Sequence, residues 1–207
     1  MGEGKRPKGK GKGKKGKGKG GKEDEAPAGK PSELHAAARD GDLVQVAAIL
    51  ADAEKAKEML DAPDQHKRTA LHIVAFSGKL EVVQKLLEAG ADPVKEAMDG
   101  YTPLHFAAQA GHVEVLRQLT RRVGDGKFGA VKSYVNRVVA KGKRSALHLA
   151  LQKGHIECAR FLVMKGCSTS AQTGGGQSAL DLCHSAELRE ELGGAAIAAA
   201  EAAAGAE

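Results

Sequence analysis

A Leu-His pair recurs four times along the chain, at Leu34-His35, Leu71-His72, Leu104-His105 and Leu147-His148, and a fifth leucine is followed by aspartate at Leu180-Asp181. The leucine-to-leucine spacings are 37, 33, 43 and 33 residues, so a period of 33 is broken by four extra residues in the first interval and ten in the third. No other feature constrains the fold as strongly. A unit of this size cannot bury its own apolar face, and only stacked neighbours can do it for one another.

Each unit repeats one local grammar. A Ser or Thr (Ser32, Thr69, Thr102, Ser145, Ser178) stands two residues before each leucine, where a side-chain oxygen caps a helix start. A short helix then reaches a glycine, at Gly41, Gly78, Gly111 or Gly154, suited to a chain reversal. A second helix follows, as in Leu80-Glu81-Val82-Val83-Gln84-Lys85-Leu86-Leu87, with apolar residues at i, i+3, i+4 and i+7. It stops at Gly90 or Gly166.

These residues carry a family resemblance. The run Thr102-Pro103-Leu104-His105-Phe106-Ala107-Ala108-Gln109-Ala110-Gly111-His112-Val113-Glu114-Val115 resembles the ankyrin-repeat signature almost letter for letter. Thr69-Ala70-Leu71-His72 with Gly90-Ala91-Asp92, and Ser145-Ala146-Leu147-His148 with Gly154-His155, are close variants. The resemblance covers about residues 32–192 and implies an all-α repeat solenoid of helix–loop–helix units with projecting β-hairpins. It also implies that the motif histidine hydrogen-bonds its turn, and that hairpin tips and the concave face of the first helices bind proteins. The period of one whole unit gives each His the same role on successive layers, a pattern of structure and not of catalysis.

The expected organisation is a Lys/Gly-rich disordered tail (1–31), an ankyrin-repeat domain of about five units (32–192) and an Ala-rich tail (193–207). The tail from Met1 to about Pro31 has almost nothing apolar to repay ordering entropy. Four extra residues in the first unit are expected to lengthen its second helix through Ala53-Glu54-Lys55-Ala56-Lys57-Glu58. The ten-residue insertion, with Gly124-Asp125-Gly126-Lys127-Phe128-Gly129, reads as turn-rich, with Tyr134-Val135-Asn136 returning into the next hairpin. The last unit is a degenerate cap ending at Gly193-Gly194, and the Ala-rich segment beyond, 195–207, has the composition of a weak helix with nothing to anchor it.

Charge is distributed unevenly. The net +6 comprises +9 in residues 1–22, leaving −3 for the rest. A second basic stretch runs from Arg121 to Arg144, with eight cations against Asp125. Clustered cations attract polyanions through counterion release. The candidate polyanion-binding residues are therefore Lys5, Arg6, Lys8, Lys10, Lys12, Lys14, Lys15, Lys17, Lys19, Arg121, Arg122, Lys127 and Lys132, with the insertion placed on the hairpin side of the stack. The tail lacks aromatics for base stacking, so such binding would be sequence-blind. It equally suits a solubilising role, and Lys5-Arg6-Pro7-Lys8 fits a short nuclear-import pattern.

Other chemistry finds little support. Cys158, Cys167 and Cys183 lack CxxC spacing and read as buried hydrophobes in a reducing compartment; zinc binding with His155 or His184 matches no known spacing. Gly174-Gly175-Gly176-Gln177-Ser178 lacks the lysine of a phosphate-binding loop and falls in a repeat hairpin. No nucleophile–base set has an identifiable spacing. The chain carries neither a signal-like apolar segment nor a membrane-spanning run, and Arg6 occupies the Ser/Thr place of a myristoylation signal.

The expectation is thus a non-catalytic protein-interaction module or adaptor, cytoplasmic or nuclear, monomeric by itself, and needing no cofactor or metal. The alternative is a polyanion-associated protein that uses the repeats as scaffold. By alignment with the family's variable positions, the candidate protein-binding residues are Gln65, His66, Arg68, Phe76 and Ser77, then Glu96, Met98, Asp99, Tyr101, Gln109 and Ala110, then Lys141, Arg144, Gln152 and Lys153. Phe76 and Tyr101 beside a basic flank suit an acidic protein segment; Phe76 covering the neighbouring helix is the structural alternative.

Overall fold

The computed structural model describes Met1, residues 32–124 and residues 128–204. The basic tail and Lys127 therefore lie outside the described residues. Four helix pairs form the stack: α1 (Glu33–Asp40) with α2 (Leu43–Ala51), α4 (Ala70–Ser77) with α5 (Leu80–Glu88), α6 (Pro103–Ala110) with α7 (Val113–Gly124), and α9 (Ala146–Gln152) with α10 (Ile156–Met164). Between them stand α3 (Ala53–Met59) and α8 (Phe128–Val135), and α11 (Ala186–Ala204) follows the last pair. First helices pack on first helices (α1, α4, α6, α9), and second helices on second helices (α2, α5, α7, α10, α11), giving two layers. The apolar stripes meet between the layers in one continuous core that includes Leu34, Leu71, Leu86, Leu104, Leu116, Leu119, Leu147 and Leu162.

The cap chemistry explains why each first helix starts where it does. Ser32, Thr69, Thr102 and Ser145 are the N-caps, and the histidine three residues on completes a reciprocal capping box. The backbone N–H of each cap donates to the histidine Nδ1, at 3.1–3.2 Å. An N–H can only donate, so Nδ1 must be the unprotonated nitrogen and the proton sits on Nε2. That Nε2–H then donates to a carbonyl of the following unit: His35 to Arg68, His72 to Tyr101, His105 to Arg137 and His148 to Ala171, at 2.9–3.1 Å. All four rings are fully buried.

A second row of bridges crosses the helix–helix turns. His112 Nε2 donates to the Phe76 carbonyl (3.0 Å) and His155 Nε2 to the Gln109 carbonyl (3.1 Å). Each imidazole lies over a glycine of the preceding unit: a Cβ on Gly78 would meet the His112 ring at 2.5 Å, and one on Gly111 the His155 ring at 2.6 Å. Both glycines also hold positive φ, 72° and 86°. Backbone geometry and close approach thus demand glycine independently.

The connections between units project as turns closed by backbone pairs, such as Asp64 N–H to Arg68 O (2.8 Å) and Val139 N–H to Arg144 O (2.9 Å). Strand pairing among the described residues is limited to two isolated bridges, Val138 with Ser145 and Gln172 with Ser178. Neighbouring tips join directly: Met98 N–H donates to His66 O, Ala140 N–H to Asp99 O and Gly174 N–H to Gly142 O.

The structure corrects three local expectations. The first unit's second helix is not lengthened. It stops at Ala51, and Asp52, with ψ of 106°, caps the separate helix α3 by accepting the Lys55 N–H. The turn-rich reading of the insertion falls partly on residues 125–127, outside the described residues; on either side of them α7 runs on to Gly124, and α8 lies against it on the outer layer. Tyr134 and Val135 are buried at the end of α8 instead of entering a hairpin, with the Tyr134 hydroxyl donating to Pro93 O (2.7 Å). Gly193-Gly194 does not end the last helix, which continues to Ala204. Buried Leu192 and an Arg160–Glu191 pair (2.8 Å) hold α11 on α10 while it crosses those glycines. In this last unit the first helix shrinks to a 3-10 turn, Leu180–Leu182, and Asp181 closes the Ser178 cap in place of histidine.

Cys158 and Cys167 are buried free thiols, pushed up by burial to about 11 and about 12, whereas Cys183 is only partly covered. No helix among the described residues is long and apolar enough to cross a membrane.

Two predictions follow from the histidine bridges. Gly111→Ala should cost at least about 1 kcal/mol more than Gly154→Ala, since both have positive φ (86° and 77°) but nothing lies over Gly154; urea unfolding of both variants measures the difference. Burial also pushes His72 and His105 from 6.5 down to about 4, the carbonyl hydrogen bonds offsetting it only in part. A folded-state value below the unfolded one means that stability is full above pH 6.5 and falls as the pH drops from there toward 4, by up to about 1.4 kcal/mol per pH unit per histidine. Denaturant midpoints across that window should shift accordingly, and His105→Gln should flatten the slope.

Candidate functional site

The first-helix layer leaves one face free of the second helices, and half-exposed Phe76 gathers there with the partly buried Phe106 and Tyr101. Phe76, seventh in α4, is 51% exposed. Its ring meets Phe106 of α6 edge-on at a centroid distance of 6.2 Å, and Phe106 meets Tyr101 at 5.5 Å. Phe106 also stands edge-on to His72 (5.7 Å), which anchors the group to the buried bridge below. The result is an aromatic shelf across two units.

The shelf ends on a cation. Arg144, just before the Ser145 cap, donates from Nη2 to the Tyr101 hydroxyl (3.2 Å) and from Nη1 to Gln152 Oε1 (3.3 Å). Both acceptors are neutral. Residues 138–153 contain Lys141, Lys143, Arg144 and Lys153 and no acid, so this end of the face is positive. Lys141, Gln152 and Lys153 are exposed.

Other expected contact residues have internal partners. Arg68 is held by Asp64: Nε and Nη2 both donate to Oδ2 (2.9 and 2.8 Å), while Oδ1 accepts the backbone N–H groups of His66 and Arg68 (2.8 Å each). The Asp64 side chain is only 1% exposed. Burial alone would raise its pKa, but the Arg68 guanidinium and those two N–H groups outweigh it and hold the carboxyl below the usual range. Arg68 thus closes its own hairpin. Glu96 is exposed and paired with Arg137 (2.8 Å). Ser77 Oγ donates to Ile73 O, and Gln109 offers its carbonyl to His155. Gln65 and His66 touch each other at an exposed tip. Met98 is 51% exposed and Asp99 exposed, with φ of 60° at the tip, and Ala110 is half-buried beside Gly111.

The described basic candidates form a separate group. Arg121 and Arg122 stand exposed at the end of α7, and Lys132 on α8. They belong to the second-helix layer, beside Gln84, Glu88 and Gln118 for the arginines, and not to the face bearing Arg144. The insertion therefore leaves the stack's inner face untouched. Lys5, Arg6, Lys8, Lys10, Lys12, Lys14, Lys15, Lys17, Lys19 and Lys127 fall outside the described residues.

Phe106 is the central shelf residue that alignment with variable positions passed over, because it lies inside the signature stretch. The legible signal was its size: the matching positions carry Ala36, Ile73 and Leu149, and a phenyl ring outgrows the slot they fill. Arg137 was likewise missed as the partner of Glu96.

The ankyrin-repeat family, described as three copies, matches residues 22–97 and 90–173, well over half the chain. Ankyrin repeat domain-containing protein 37 of Mus musculus is 33% identical over 119 residues, covering 58% of this chain and 69% of that protein. NF-kappa-B inhibitor alpha of Sus scrofa is 29% identical over 160 residues, 72% of this chain and 49% of the relative. The inactive serine/threonine-protein kinase TEX14 of Mus musculus is 33% identical over 94 residues, 45% of this chain. The chain spans only 6% of that kinase's length.

Arg68→Ala strands the buried Asp64 carboxylate. It should destabilise the protein by about 3 kcal/mol, whereas Lys141→Ala at the exposed tip should change stability by less than about 0.5 kcal/mol; thermal or urea unfolding of the two variants checks this.

Proposed function

Since this chain belongs to the ankyrin-repeat family, we propose that it is a non-catalytic adaptor that holds a protein partner on its inner face and hairpin tips. Ankyrin repeats are in general protein–protein interaction modules and typically non-catalytic. The observation that supports this reading most is the aromatic shelf in which half-exposed Phe76 continues into the partly buried Phe106 and Tyr101. Aromatic side chains contribute large contact area at low entropic cost, and they dominate interface energetics when a partner desolvates them. The structural alternative for Phe76, covering its neighbour, accounts for only part of its surface, because half remains open to solvent. One relative's name, NF-kappa-B inhibitor alpha, describes the inhibition of another protein, in keeping with a binding role here. The cytoplasm or nucleus is the proposed site of action, as the reduced cysteines and the basic segment suggest.

A second reading is favoured by one feature, the +9 charge of residues 1–22: non-specific binding of RNA or DNA, with the repeats as scaffold. The two readings differ in which part of the chain matters. In affinity capture with the intact protein, the adaptor reading expects protein partners to survive deletion of residues 1–22. It expects them to bind the Phe76→Ala/Tyr101→Ala variant about 30-fold more weakly, corresponding to about 2 kcal/mol. Loss of partners with the tail, a steep salt dependence and indifference to the aromatic variant would favour the polyanion reading instead.

A further inference from the structure

We propose that Arg144 is a carboxylate clamp, and that the segment bound on this face is an extended acidic peptide whose apolar side chain sits on the Phe76–Phe106 shelf. The inference rests on the adaptor reading above and names the chemistry of the partner.

Among the described residues, the arginines whose side chains are hydrogen-bonded differ in what they hold. Arg68, Arg117, Arg137 and Arg160 each have a carboxylate: Asp64, Glu114, Glu96, and Glu157 with Glu191. Arg189, at the far end of the stack, donates to the Leu180 carbonyl, and Arg144, alone of these on the aromatic shelf, has only a phenol and an amide oxygen. Those contacts orient the guanidinium without neutralising it. Arginine's donors match a carboxylate in a two-pronged geometry, and a charge-assisted pair forms most favourably where the cation is already held in place. Lys141, Lys143 and Lys153 add positive charge with no acid in the same stretch. Asp99, an exposed acid of the preceding hairpin, is joined to this stretch through its carbonyl, which accepts the Ala140 N–H (2.7 Å).

Geometry limits the peptide. From the Phe76 ring through Phe106 and Tyr101 to the guanidinium the path follows contacts of 6.2, 5.5 and 3.2 Å, at most about 18 Å with the length of the tyrosine ring included. Extended chain covers about 3.3–3.6 Å per residue. The acidic residue therefore lies no more than about five residues from the apolar one. In a helix, which rises about 1.5 Å per residue, the same span would set the two side chains about twelve residues apart, so the spacing in bound peptides tells the two conformations apart. Nucleic acid fits less well, because only one end of the shelf is charged and the remainder is apolar.

A random linear peptide library displayed on phage, selected on the full-length chain in about 0.5 M salt to screen the basic tail, tests this. The selected peptides are then synthesised and their affinities measured against the wild type, Arg144→Gln, Arg144→Lys and Phe76→Ala. The expected result is peptides with Asp or Glu within five residues of an aromatic or aliphatic residue, weakened at least about tenfold by Arg144→Gln and less by Arg144→Lys. Peptides weakened by Phe76→Ala but lacking an acid, or indifferent to Arg144→Gln, would overturn the clamp and leave the adaptor reading standing. Peptides indifferent to both changes would overturn the inner-face reading as well. Displacement of the peptides by oligouridylate at matched charge would make Arg144 a general anion site and overturn the peptide assignment. Matching thermal unfolding of wild type and Arg144→Gln keeps a folding defect from imitating the expected loss.

Discussion

The architecture depends on a proton. Because a backbone N–H already occupies Nδ1 of each motif histidine, the ring is compelled to carry its hydrogen on Nε2, facing the next unit. One side chain therefore does two jobs at different ranges: it finishes a helix cap three residues away and ties its unit to a carbonyl 23–33 residues on. Protonating Nδ1 would set a donor against a donor and place a charge in the core, which is why these rings must remain neutral. Local and long-range order share a single tautomer, and layers that lack this link, as at Asp181, lose their regular first helix.

Much of this was legible in the sequence because periodicity and capping are short-range signals. The five caps, the turn glycines and the apolar stripe of Leu80–Leu87 needed no knowledge of distant contacts. The failures cluster where the period breaks. Four extra residues after Ala51 could extend a helix or start another, and only the Asp52 side chain, by accepting the Lys55 N–H, decides for a new one. The return into a hairpin read at Tyr134-Val135-Asn136 gives way to helix, because Val131, Tyr134 and Val135 are buried together on the outer layer. At Gly193-Gly194 the weak helix propensity of glycine is overridden by packing on both sides of the pair, through Leu192 before it and the partly buried Ala196 after it.

The candidate site was legible at its ends and not in its middle. Phe76, Tyr101 and Arg144 follow from positions that vary between units, but pairing decides what each cation is free to do. Nothing in the spacing of Asp64 and Arg68 distinguishes an arginine committed to its own hairpin from one offered to solvent. The distinction comes from burial of the carboxylate, a property of the stack. Phe106 escaped notice for the opposite reason: it sits in the most regular stretch of the chain, where a framework role is the natural reading.

One property of the histidine bridges reaches beyond stability. The groups that receive them are the carbonyls of Arg68, Tyr101, Arg137 and Ala171, residues of three kinds that differ in size and charge. A carbonyl oxygen is offered by every amino acid, so the bridge itself makes no demand on the side chain at those positions, although Arg68 is held to its place separately by Asp64. Two of the four, Arg68 and Tyr101, border the inner face. The surface that meets a partner can thus be rewritten residue by residue while the joints beneath it stay the same, and the scaffold is insulated from its own specificity.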